Sequence, residues 1–172
     1  MNLRLPKMAV SDRVSITPEL MAGESRTVAR LDGPGCIKHI WATFGAPSDD
    51  YTRRIVLRMY WDGEDAPSVV SPIGDFFGLG HAAPAYFSSL PLQTSYLGLN
   101  CWFPMPYSSG ARITVTNDSD TDTRLYFYVD YQEWEVAAED TGRFHALWRR
   151  ELVLRGDEAT GPNTLGQVQR LN

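Results

Sequence analysis

Several things are scarce in this 172-residue chain, and each scarcity removes a class of function. Cysteine is limited to Cys36 and Cys101, both in hydrophobic surroundings without Cys-x-x-Cys or Cys/His spacing. That excludes a disulfide framework or zinc knuckle and fits two buried free thiols in a reducing compartment. Histidine is limited to His39, His81 and His145, with no His-x-His or His-x-x-x-His pair, so the ligands of a cupin-type metal centre are missing and no metal is expected. No apolar run approaches the length that spans a bilayer, and the first ten residues lack the apolar stretch and cleavage site of a signal peptide. A cytoplasmic protein with no membrane partner is therefore expected. Positive charge is also short: sixteen Lys plus Arg, of which only Lys7 and Lys38 are lysines, face twenty-one Asp plus Glu, for a net charge of −5. Such a surface does not wrap phosphate backbones, so no nucleic-acid partner is expected. The chain has no Gly-x-Ser-x-Gly elbow, and its glycine-rich stretch 74–80 lacks the lysine and following helix of a phosphate loop. No cofactor is expected.

What is present points to an all-β domain. The length suits one domain, 12% of residues are aromatic, and fourteen Gly and eleven Pro are scattered singly, as in short strands joined by tight turns. Period-two alternation marks strands near 14–17, 26–31, 35–44, 53–61, 68–71, 96–103, 111–116, 124–134 and 144–151. Eight to nine such strands predict a single jelly roll, an antiparallel β-sandwich of two Greek keys, over residues 1–154. Residues 155–172 lose the periodicity and read as a tail or arm. The turn-forming residues 117–123 predict a hairpin between 111–116 and 124–134. In 124–131, Leu125, Phe127, Val129 and Tyr131 alternate with Tyr126 and Tyr128. In 35–44, Ile37, His39 and Trp41 alternate with Ile40 and Phe44. Strands apolar on both faces imply a partner surface, most simply a second copy of the chain.

The motifs divide between structure and chemistry. An immunoglobulin framework wants a Tyr two residues before its second Cys, where this chain has Leu99. Asp118-Ser119-Asp120-Thr121-Asp122 begins like a calcium loop, but Thr123 and Val129 replace its required Gly and Glu, leaving a solvated turn. Glu133 and Glu135, two apart on a strand, would sit roughly 7 Å apart on one face, near the spacing glycoside hydrolysis uses. Charged residues that end a strand at the surface are the plainer reading. Trp61-Asp62-Gly63-Glu64-Asp65 and Ser71-Pro72-Ile73-Gly74-Asp75-Phe76-Phe77 combine aromatics and acids as sugar sites do. The carbohydrate-binding candidates are Trp41, Trp61, Asp62, Asp75, His81 and Trp102. The catalytic candidates are Asp62, Asp75, Glu133 and Glu135.

An ordered series of segments carries a family resemblance. It runs through Gly33-Pro34-Gly35-Cys36-Ile37-Lys38-His39-Ile40-Trp41, Arg58-Met59-Tyr60-Trp61-Asp62, Pro67-Ser68-Val69 and Pro72-Ile73-Gly74-Asp75-Phe76-Phe77. It continues in Ser89-Leu90-Pro91, Gly98-Leu99-Asn100-Cys101-Trp102-Phe103-Pro104-Met105-Pro106, Ala111-Arg112-Ile113, and Phe144-His145-Ala146 with Arg149-Arg150. Together these resemble glycoside hydrolase family 172, formerly a domain-of-unknown-function family, which includes α-fructofuranosidases and α-arabinofuranosidases. The resemblance covers about residues 24–151 and implies a jelly roll, paired with a second one in longer members. The family's catalytic glutamates belong to Gly-Glu-Gly-Asp and Gly-Thr-Gly-Thr-Glu-Asp-Tyr stretches of that second jelly roll, and neither occurs in this sequence.

The expectation is thus a single jelly-roll relative that self-associates, as a trimer or hexamer, in place of the paired domain. A carbohydrate-binding or non-catalytic assembly role leads. A furanosidase completed at a subunit interface, or a capsid-like shell protein, are the alternatives.

Overall fold

Residues 55–61, Ile-Val-Leu-Arg-Met-Tyr-Trp, place Ile55, Leu57, Met59 and Trp61 on one face of a strand, and all four are buried. The same period-two logic governs most of the computed structural model, which describes residues 8–45, 48–138, 140–151 and 168–170. In chain order the elements are β1 (Met8–Ile16), β2 (Glu19–Leu20), β3 (Ser25–Asp32), β4 (Gly35–Gly45), α1 (Tyr51–Arg54), β5 (Ile55–Trp61), β6 (Val69–Pro72) and α2 (Ile73–Phe76). They continue as β7 (Tyr86–Ser88), β8 (Leu92–Ser95), β9 (Gly98–Cys101), β10 (Met105–Tyr107), β11 (Gly110–Asn117), β12 (Thr123–Trp134), β13 (Ala146–Leu147), β14 (Arg149–Glu151) and β15 (Val168–Arg170).

Eight of these strands make the sandwich. The larger sheet runs β1-β12-β4-β9, extended past β9 by β8 and β7; the facing sheet runs β3-β11-β5-β6. Counted among themselves, the eight follow the orders 1-8-3-6 and 2-7-4-5, the two Greek keys of a jelly roll. β13 adds to β6 in parallel, a departure from an all-antiparallel sandwich. The core lies between the sheets, with Ile40, Ala42, Leu125, Phe127 and Val129 from one meeting Leu57, Met59, Ile113 and Val115 from the other. Burying each large aliphatic chain contributes about 1.5–3 kcal/mol. Among the described residues no helix is long and apolar enough to cross a membrane.

Several sequence expectations change, two of them in the main sheets. The segment 117–123 is not a hairpin turn, because β11 pairs with β3 and β5 in one sheet while β12 pairs with β1 and β4 in the other. It is an arch between sheets, pinned by the buried Asn117, whose Nδ2 donates to the carbonyls of Leu20 and Thr121 and whose Oδ1 accepts from Ser119. β11 is flanked on both sides by β3 and β5, and β12 by β1 and β4, so neither strand has an edge left to pair with the other. The second change is in β4. Its pairing with β12 skips Lys38, since Asp130 faces His39 and Tyr131 faces Ile37. That bulge puts Ile37 on the inner face with Ile40, Ala42 and Phe44, and His39 with Trp41 on the outer one.

Of the expected strand 96–103 only Gly98–Cys101 is strand, β9; Tyr96, with φ of 60°, belongs to the turn that joins it to β8. Of the expected tail 155–172, only Val168–Arg170 is among the described residues, as β15 beside β14. Cys36 and Cys101 are free and buried, and burial pushes the Cys101 thiol up to about 11.

Close packing at the start of β4 gives a stability test. A Cβ on Gly35 would lie 2.5 Å from the Gln132 carbonyl oxygen, whereas one on Gly80 would meet nothing within 4 Å. Gly35→Ala should cost on the order of 2 kcal/mol in urea unfolding, and Gly80→Ala should stay within about 0.5 kcal/mol of the parent.

Candidate functional site

The outer face of the larger sheet brings together side chains far apart in sequence, because register sets cross-strand neighbours. Asp130 of β12 pairs with Arg13 of β1 on one side and His39 of β4 on the other. Trp102, just past the end of β9, stacks on His39 with ring centroids 5.0 Å apart and planes 11° from parallel. One row therefore reads Arg13, Asp130, His39, Trp102. In the adjacent row Tyr128 pairs with Trp41, which pairs with Asn100; the Trp41 and Tyr128 rings stack at 4.7 Å.

Hydrogen bonds tie the rows together. Asp130 accepts from Arg13 Nε at 2.5 Å and Arg13 Nη2 at 3.0 Å. Its Oδ2 pairs with His39 Nδ1 at 3.0 Å, and His39 Nε2 pairs with the Asn100 side-chain amide at 3.1 Å. The Arg13 hydrogen bond is the main cause that holds the Asp130 carboxyl below its ordinary range, against partial burial and with help from His39. The His39 ring is thus fixed at both nitrogens and supports Trp102, which is 42% exposed. The result is a rigid indole plane beside an ionised carboxylate, an amide and a guanidinium. An apolar ring face flanked by donors and acceptors can hold a sugar by stacking and hydroxyl pairing.

Of the sequence candidates, this face gathers Trp41 and Trp102 only. Trp61 is fully buried, with its indole N–H donating to the Phe144 carbonyl at 2.8 Å, so its ring is a core element and no platform. Asp62 and Gly63 take φ of 55° and 82° in a tight turn closed by Glu64 N–H on the Trp61 carbonyl. Asp62 Oδ1 accepts from the N–H groups of Ser108 and Ser109, and Oδ2 accepts from Arg143 Nε at 2.6 Å. Burial works to raise the Asp62 carboxyl, but the hydrogen bonds from Ser109, Arg143 and Ser108 outweigh it and hold the group low. Both oxygens are committed to clasping loops, which suits neither a nucleophile nor an acid.

Asp75 lies in α2, paired with Arg53 Nη1 at 3.2 Å; burial pushes its carboxyl up while Arg53 opposes the rise. His81 is exposed in the loop after Gly80. Glu133 is the penultimate residue of β12, beside Val10 and Gly35, and Glu135 falls in the bend after Trp134. The same-face spacing of those two glutamates needed a strand running through 135, and the strand stops short. Arg13, Asn100 and the ring support from His39 were not among the sequence candidates. Their signal lies in the register of three pairings, which no local pattern encodes.

The ion pairs set an acid limb. Asp62 and Asp130 both have folded-state values below the ordinary one, so their stabilisation is fully present above the unfolded carboxyl value of about 3.9 and is lost as pH falls through the folded values. Urea midpoints should therefore drop below about pH 4, and Asp130→Asn should flatten part of that drop. Parallel acid limbs in parent and variant would contradict the assignment.

The comparisons agree with this architecture. The profile of the GH172 domain-like family matches residues 11–128, more than two thirds of the chain and the stretch from β1 into β12. No curated protein matches it. By sequence match, and with a jelly roll where the resemblance implied one, the chain belongs to the GH172 domain-like family.

Proposed function

We propose that the protein is a self-associating carbohydrate-binding module that holds furanosyl units on the outer face of its larger sheet without cleaving them. The observation that carries this is the Trp102 plane, stacked on a doubly anchored His39 beside Asp130 and Asn100. A ring platform pre-set by packing loses little freedom when it binds, which favours weak but specific sugar contact. The non-catalytic half of the reading rests on the four candidate carboxylates. Asp62 is saturated, Asp75 is salt-bridged, and Glu133 and Glu135 do not share a strand face.

Association is supported at the far edge of the same sheet. β7 is its terminal strand, with every residue exposed, and its hairpin with β8 presents Leu90, 98% exposed, in the connecting loop and Tyr86, 82% exposed, beside Tyr96 at the other end. Among the described residues no strand pairs with the outer edge of β7. An exposed apolar edge is a template for pairing, and antiparallel pairing of β7 with its own copy is a two-fold contact. Of the trimer and hexamer, only the hexamer contains two-fold pairs.

Calorimetry with α-arabinofuranosyl and fructofuranosyl oligosaccharides tests the first part. Trp102→Ala should weaken binding at least about tenfold with the fold retained, and His81→Ala should not. Turnover of a chromogenic α-arabinofuranoside, abolished by Asp75→Asn, would overturn the non-catalytic reading. Light scattering tests the second part: the parent should be hexameric at micromolar concentration, and Leu90→Asp with Tyr86→Asp should lower its mass. A parent that is monomeric would sink it.

A further inference from the structure

At one end of the sandwich, α1, α2 and the start of β14 enclose a groove of about 930 Å³ that the sugar-binding reading does not use. The chain carries a net charge of −5, yet four of its fourteen arginines, Arg53, Arg54, Arg149 and Arg150, line this one groove. Only two carboxylates, Asp75 and Asp118, line it with them. Asp50 and Asp120 also act on Arg54, so the positive excess of this groove rests on Arg149 and Arg150, which can attract an anion to an otherwise acidic protein.

The fold explains how the arginines meet. Parallel pairing of β13 with β6 continues through the Trp148 N–H on the Val70 carbonyl at 3.0 Å. That delivers Trp148 and the two arginines after it against Pro72 and α2. Arg53 and Arg54, in the last turn of α1, line the same groove, Arg53 over the Trp148 ring.

The arginines differ in how far they are already committed. Arg54 is held by Asp50 at 2.9 Å. Arg53 is held three ways: its Nη1 pairs with Asp75 at 3.2 Å, its Nη2 donates to the Gly80 carbonyl at 2.5 Å, and its guanidinium lies over Trp148. Among the described residues, no carboxylate lies within ion-pair distance of Arg149 or Arg150. Arg149 and Arg150 are thus the two lining guanidinium groups with no carboxylate among the described residues to hold them, and both are exposed to an incoming anion. Guanidinium forks match phosphate and carboxylate oxygens two at a time. Trp148, already lying under the Arg53 guanidinium at 5.4 Å, adds an aromatic wall for a ring.

We infer that this groove binds a small anionic sugar, a phosphorylated or carboxylated monosaccharide, with the anion on Arg149 and Arg150 and the ring against Trp148. The site is separate from the Trp102 face and stands or falls independently of it.

The test uses the full chain and four probes in calorimetry at low salt: arabinose 5-phosphate, galacturonate, inorganic phosphate, and a short single-stranded oligonucleotide. Either anionic sugar should bind saturably, more tightly than inorganic phosphate, and weaken as salt is raised; which sugar is tighter identifies the anion. Arg149→Ala with Arg150→Ala, both exposed positions, should weaken that sugar at least tenfold. Trp148→Ala should erase its advantage over inorganic phosphate. Trp102→Ala should leave it unchanged, which separates this site from the sugar face. The inference is overturned if neither sugar binds saturably, if the arginine variants bind as the parent does, or if the oligonucleotide displaces the sugar and binds more tightly.

Discussion

The antiparallel pairing of β4 with β12 is the constraint on which the rest depends. These are the two longest strands, they sit side by side in the middle of the larger sheet, and nearly every feature described above hangs from their register. A single bulged residue, Lys38, settles both faces at once. It turns Ile37 inward to join Ile40, Ala42 and Phe44 in the core, and it aligns His39 with Asp130 and Trp41 with Tyr128 outside. A slip by one residue would exchange the two sets, burying a carboxylate and an imidazole and exposing a row of aliphatic side chains. The apolar core and the polar aromatic face are therefore enforced by the same pairing.

The outer face also explains why the chain looked two-sided. Its rings cover one another, Trp41 on Tyr128 and Trp102 on His39, while Arg13 lies over Tyr128 at 5.4 Å. Such a face is neither ordinary solvent-exposed sheet nor bare apolar patch. Its rings are stacked and its hydrogen-bonding groups are paired beside them. Tyr86, Phe87 and Leu90, all exposed, lie on the neighbouring hairpin of β7 and β8, so the proposed ligand contact and the proposed self-association would use different surfaces of one sheet. At the end of the sandwich, Trp61 and Asp62 clasp residues 143 and 144 and so direct the chain toward β13. Two residues with the composition of a sugar site thus serve the fold.

Much of the architecture was legible because alternation reports burial. Ile55, Leu57, Met59 and Trp61 were readable as one face, and the Asp62-Gly63 turn was readable from its need for positive φ. The arch at 117–123 was not, since turn-forming residues look alike whether the next strand joins the same sheet or crosses to the other. Asn117 decides between them through two carbonyls that only the folded chain brings near. The bulge at Lys38 was equally hidden, because nothing local distinguishes it from regular strand. The site suffered most from this. Tryptophans next to acids in sequence, Trp61 with Asp62, went to the core, whereas the cluster that formed joins Arg13, His39, Trp102 and Asp130 across three strand pairings.

The central claim, that the outer face of the larger sheet is where ligand sits, is most directly tested by the five tryptophan indole N–H signals in a proton–nitrogen correlation spectrum. On titration with an α-arabinofuranosyl oligosaccharide, the signals of Trp102 and Trp41 should move together and saturate while that of Trp61, sealed in the core, stays still. Shifts confined to Trp134 or Trp148, or no shift at Trp102 while the sugar is bound, would contradict the account.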